Sequence, residues 1–140
     1  MVRFETAVHI ERPADVVFAV VADPETYPSW NSAVRAVEPV AGEPGRYRME
    51  RDLPSGPAQN VLEIVSSRSP AEVVIRAGDG PTPFTYRYEL RPANEGTDLS
   101  LAAEVELGGV AGLLGPGAAP AVRRGVDENL STLKRMLEQG

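Results

Sequence analysis

No cysteine occurs in the 140 residues of this chain, which excludes disulfide staples, thiolate nucleophiles and sulfur-ligated zinc sites together. Histidine is nearly as scarce. His9 stands alone, and no acidic residues fall at EF-hand or facial-triad spacing, so no metal site is expected. The glycines at 108, 109, 112, 115 and 117 lack the Lys-Ser/Thr of a phosphate loop and a βαβ setting, and no Gly-x-Ser-x-Gly elbow is present. No cofactor and no catalytic residue is therefore assigned. Also missing are an apolar run near 18 residues and a basic N-terminal stretch leading into an apolar one; the expectation is a cytoplasmic chain without a transmembrane segment. Basic charge is in deficit, with 14 Lys and Arg against 20 Asp and Glu for a net charge of -6. Nucleic acid is accordingly not an expected partner.

What is present fits one domain over residues 1 to 140, long enough to bury its own core. Thirteen glycines and thirteen prolines fall mainly between periodic segments, as turn punctuation. Residues 2 to 10 alternate Val2, Phe4, Thr6, Val8 and Ile10 against Arg3, Glu5, Ala7 and His9, the period of a half-buried strand. Pro13 pre-sets a helix over 13 to 22. A further helical turn is expected over 24 to 28, ending near Pro28. Six strands follow, over 34 to 40, 45 to 52, 58 to 67, 70 to 78, 82 to 92 and 97 to 107. Phe84, Tyr86, Tyr88 and Leu90 share one face of the fifth, and Leu99, Leu101, Ala103, Val105 and Leu107 one face of the sixth. One side of the sheet is apolar and the other wet.

From 118 to 138 the period turns helical, with Val122, Val126, Leu130, Leu133 and Leu137 as an apolar stripe. Such a helix is roughly 30 Å long, enough to cross a curled sheet and leave a cavity between the two. The glycine-broken segment 108 to 117, with Leu113 in it, is the expected cover.

The run Glu11-Arg12-Pro13-Ala14-Asp15-Val16-Val17-Phe18, the segment from Asp23-Pro24 to Trp30-Asn31 and the closing helix resemble the START-like (SRPBCC) superfamily. Within it, the similarity is to the bacterial polyketide cyclase/dehydrase and lipid-transport branch, over essentially the whole chain. The resemblance implies an α+β helix-grip fold: two short helices after strand 1, and a strongly curved seven-stranded antiparallel sheet wrapped around a long C-terminal helix. It implies a hydrophobic small molecule as partner, such as a lipid, quinone or polyketide. Some members cyclise or dehydrate polyketide chains. A protein-interaction module with a vestigial cavity is the third reading. Exposed sheet edges leave monomer and homodimer both open.

Candidate cavity residues follow from side-chain type and parity. Trp30 reads as either a pocket floor or a packing anchor. Phe84, Tyr86 and Tyr88 form an aromatic face whose hydroxyls can orient a carbonyl or phenol, and Tyr47 with Met49 extends it. Leu113, Val122 and Val126 would close it from the helix side. Arg76 and Arg87 become polar contacts only if the wet and dry faces are swapped in their strands. His9 falls on the solvent side with Arg3 and Glu5. Glu63, Glu72, Glu104 and Glu106 read as surface residues, and Asp52 and Asp79 as turn formers.

Overall fold

The computed structural model describes residues 1–53, 56–107 and 117–140. In chain order the elements are β1 (Val2–Ile10), α1 (Ala14–Val21), a 3-10 turn (Pro24–Thr26), α2 (Tyr27–Trp30), β2 (Val34–Pro39), β3 (Arg46–Leu53), β4 (Gly56–Arg68), β5 (Glu72–Ala77), β6 (Phe84–Ala93), β7 (Gly96–Val105) and α3 (Ala118–Gln139). The strands form one antiparallel sheet in the order β1-β7-β6-β5-β4-β3-β2. β1 and β2 thus lie at opposite edges although only the short helices separate them in sequence. The open sheet curves around α3 in a helix-grip arrangement.

Local chemistry accounts for the short helices. Pro13 is the N-cap of α1 and keeps an extended backbone, with φ -60° and ψ 152°. The valines of α1 lose rotamer freedom in a helix, so burial of Val17, Phe18 and Val21 has to hold it. Asp23 then accepts a hydrogen bond from the Glu25 N–H at 3.0 Å and caps the 3-10 turn. Pro28 does not stop the chain here, contrary to the sequence expectation. It sits in the first turn of α2, where a missing N–H removes no intrahelical bond, and the helix runs on to Trp30.

The long helix α3 has two functions along its length. Leu130, Leu133 and Leu137 are buried in its C-terminal half, each contributing about 1.5–3 kcal/mol. Together they outweigh the roughly 1 kcal/mol penalty of Gly125 within the helix. Ala121, Val122, Gly125, Val126 and Asn129, spaced at three and four residues, instead face an internal space.

Alternation on the sheet is as the sequence indicates. Phe84, Tyr88, Leu90, Leu99, Leu101, Ala103 and Val105 are buried, while Arg87 and Glu104 lie on the outer face. That outer face carries cross-strand ion pairs: Glu63 takes Arg46 and Arg76, and Glu72 takes Arg68 and Arg87. The Arg87 guanidinium, and then Arg68, hold the Glu72 carboxyl below its ordinary range. Such exposed pairs add little stability. The expected cover over 108 to 116, Leu113 included, lies outside the described residues. Among the described residues no helix is long and apolar enough to cross a membrane.

Candidate ligand-binding cavity

Between the inner face of the sheet, α2 and the N-terminal half of α3 lies a cavity of about 280 Å³ with a mainly apolar wall. That is near the lower end of small-molecule sites, roughly 300–1,000 Å³. Alternate positions of β6 bring Phe84, Tyr86 and Tyr88 onto the wall in succession. Their rings form a ladder, with centroids 4.6 Å apart for Phe84 and Tyr86 and 6.2 Å for Tyr86 and Tyr88. Trp30 faces them from α2, edge-on to Tyr27 at 5.2 Å, and its Nε1 donates to Thr26 Oγ1 at 3.2 Å. Trp30 is therefore both a packing anchor and a cavity wall. Tyr27 spends its hydroxyl on the Val21 carbonyl at 2.9 Å. The Tyr86 and Tyr88 hydroxyls have no partner among the described residues, and burial pushes the Tyr86 phenol up to about 12. Both remain protonated donors near neutral pH.

One charged side chain shares this wall. Arg51 follows Tyr47 and Met49 at the two-residue spacing of β3, which points it inward. Its Nε and Nη2 donate to Asn60 Oδ1 at 2.9 and 2.7 Å. Nη2 also donates to the Pro81 carbonyl and to Thr82 Oγ1, both at 2.6 Å. The guanidinium carbon sits 5.4 Å from the Phe84 ring centroid, within cation–π range. Burial lowers the Arg51 pKa from its ordinary value, yet an arginine in this setting keeps its charge.

The remaining candidates divide. Trp30, Met49, Phe84, Tyr86, Tyr88, Val122 and Val126 all line the cavity. Tyr47 does not; it lies along β3 on the far side of Met49 from Arg51, packed on the edge of the core. Arg76 and Arg87 are corrected outright. Strand parity turns both to the outer face, where they bond Glu63 and Glu72 at 2.8 and 2.9 Å. Asp52 belongs to β3 rather than to a turn, and its carboxylate is bound by Arg35 at the cavity rim. Asp79 does hold a turn, accepting from the Val61 N–H at 2.9 Å. Arg51 on the cavity wall and Asn60 that holds it are not among the candidates read from the sequence. Inward parity on β3 and β4 was the available signal.

His9 stays outside the cavity on β1, its Nδ1 2.7 Å from Asp98 and its Nε2 2.6 Å from Glu11. The hydrogen bond to Asp98, then that to Glu11, raises its pKa above 6.5. Lys134, donating to the His9 carbonyl, and Glu138 complete the charged surroundings. A raised folded-state value means that this stabilisation is complete below about pH 6.5 and is lost as pH climbs through the folded value. The urea midpoint of His9→Gln is thus expected to trail that of the natural chain at pH 6 and to converge with it by pH 9. An identical gap at both pH values would contradict the pairing.

A curved sheet closed over a C-terminal helix around an apolar cavity defines the class of protein, the helix-grip fold. The family described as polyketide cyclase / dehydrase and lipid transport matches residues 1–138, and the chain belongs to that family, within the START-like superfamily. Among solved structures it is similar to a START superfamily protein of Mycobacterium smegmatis, with 17% identity, 99% of each chain covered and a TM-score of 0.84. A conserved protein of Geobacillus kaustophilus is similar at 15% identity and a TM-score of 0.79, over 98% of this chain and 95% of that one. A Deinococcus radiodurans protein is similar at 20% identity and a TM-score of 0.76, over 100% and 99%. At these identities the likeness is one of fold. No curated protein matches the sequence.

Proposed function

We propose that this protein binds and carries a hydrophobic small molecule of lipid, quinone or polyketide type inside the cavity. The observation that carries the reading is space kept open where packing would close it. Gly125 faces the cavity from mid-helix, and a Cβ built there meets nothing within 4 Å. A glycine in a helix interior costs about 0.5–1 kcal/mol relative to alanine, and here the missing side chain leaves cavity space unfilled. A module acting only through its surface has no use for the void.

Cyclisation of a poly-β-ketone is the second reading, supported by the Arg51 and Tyr86 donors that an enolate oxygen would use. It also needs a proton acceptor. The one carboxylate on the described wall, Asp52, is already committed to Arg35, so the balance lies with carriage.

Native mass spectrometry of protein purified from its own host, followed by extraction, is expected to recover a bound apolar compound. Gly125→Leu supplies the control. It is expected to hold or raise the urea midpoint, since a Cβ there meets nothing within 4 Å and leucine is the better helix former, while weakening uptake of the recovered compound at least about tenfold, since the larger side chain takes up cavity space. Ligand-free protein that also refuses a panel of lipids, quinones and polyketides would sink the carrier reading. Conversion of a poly-β-ketone substrate would move the weight to the cyclase.

A further inference from the structure

The setting of Arg51 is unusual in what surrounds the charge. Every partner of its guanidinium among the described residues is neutral: Asn60 Oδ1, the Pro81 and Thr82 carbonyls, and Thr82 Oγ1. Asp52, its chain neighbour, is turned to Arg35 instead. Arg51 is half-buried, and a charge withdrawn from water for a purely structural task is usually paired with an opposite charge. Here Nε and Nη2 have their acceptors, while the charge has no carboxylate partner among the described residues.

The cradle is also built under strain. Thr82, buried, holds Arg51 from a backbone with φ 48°, a region a β-branched residue seldom occupies. Gly80 has φ +70° and approaches so closely that a Cβ would lie 2.7 Å from Asn60 Nδ2 and 2.8 Å from the Gln59 carbonyl. Glycine adopts such a φ freely, but a threonine there is strained and persists where surrounding structure over-determines it. Asn60, itself buried, locks the loop by donating to the Asp79 and Pro81 carbonyls. All of these contacts fix Nε and Nη2. Nη1 has no partner among the described residues, and no side-chain nitrogen or oxygen there is both buried and unpaired. Nη1 therefore touches open space, and Arg51 is a cavity-wall residue. Tyr86, also on that wall and with its ring centroid 4.6 Å from that of Phe84, the ring over which the Arg51 guanidinium lies, offers a second unpaired donor.

We propose that the cavity selects an amphiphile with an apolar body and a single carboxylate, the carboxylate oxygens accepting from Arg51 Nη1 and the Tyr86 hydroxyl. The apolar body lies along Phe84, Tyr88 and Trp30. This rests on the reading of the cavity as a ligand site and adds its polarity. Charge-assisted hydrogen bonds are about twice as strong as neutral ones, so the carboxylate should be strongly preferred over an uncharged group of the same size.

Trp30 is the only tryptophan in the chain and lines the cavity, so its fluorescence reports occupancy directly. Decanoate and its uncharged counterpart decanol, titrated at pH 7.5, are the probes. The natural chain is expected to bind decanoate at least tenfold more tightly than decanol, and Tyr86→Phe to weaken decanoate severalfold with decanol unchanged. Arg51→Met is expected to abolish the preference, and Arg51→Lys to keep part of it. Equal affinities of the natural chain for the two probes would overturn the carboxylate proposal while leaving the cavity reading standing, and that comparison requires no variant to fold. Equal losses of both probes in Tyr86→Phe would overturn it as well. Failure of both probes to bind would overturn the proposal together with the cavity reading beneath it.

Discussion

Asn60→Leu is expected to lower stability by about 3 kcal/mol or more, because leucine keeps the volume and removes every polar contact. Hydrogen bonds to charged groups contribute about 1.5–3 kcal/mol, and the Arg51 Nε–H loses its one acceptor while Nη2 keeps Pro81 and Thr82. Asn60 is 1% exposed and holds both Arg51 nitrogens that face it. With m near 1–3 kcal/mol/M for a small protein, the urea midpoint should fall by about 1 M or more. The double variant Asn60→Leu with Arg51→Met should recover much of the loss, since removing both partners leaves no orphaned charge. A single-variant loss under about 1 kcal/mol would mean that the cradle does not form in solution.

Leu133→Ala should be comparably severe, at about 2–5 kcal/mol. Leu133 is 0% exposed in the half of α3 that the sheet grips. Val122→Ala, two turns from the N-terminus of α3 at most and facing space already empty, should cost under about 1 kcal/mol, because few neighbours lose contacts. Calorimetry of the pair measures the contrast. Equal losses would show that the two halves of α3 do not differ in their packing.

Much of this architecture is legible in the sequence because strand parity and helical period are local signals. The five-residue stripe of α3, the aromatic ladder of β6 and the outward side of His9 all follow from counting. Leu130 and Tyr88 needed no knowledge of partners to be placed. Arg51 did. Four charged residues among 46 to 51 mask the alternation of β3, and the groups that hold the guanidinium come from nine to 31 residues further along. Arg76 and Arg87 show the converse. Their parity was outward throughout, and only the cross-strand carboxylates Glu63 and Glu72 reveal why an arginine suits each position. Pro28 was misplaced because proline both ends helices and begins them, and one residue of context does not separate the two.

The strand order sets a schedule for folding. Val2 pairs with Val105 and Ile10 with Thr97, so the strand synthesised first acquires its neighbour almost last. Until β7 emerges from the ribosome, Phe4, Val8 and Ile10 have no sheet to join. Contacts this distant in sequence place such a chain among the slower single-sheet folders, in milliseconds to seconds, and leave β1 an aggregation-prone edge in the interval. The acidic and basic residues that alternate with those apolar ones, Arg3 and Glu5 among them, then act as gatekeepers for a nascent chain before they become the surface of a finished one.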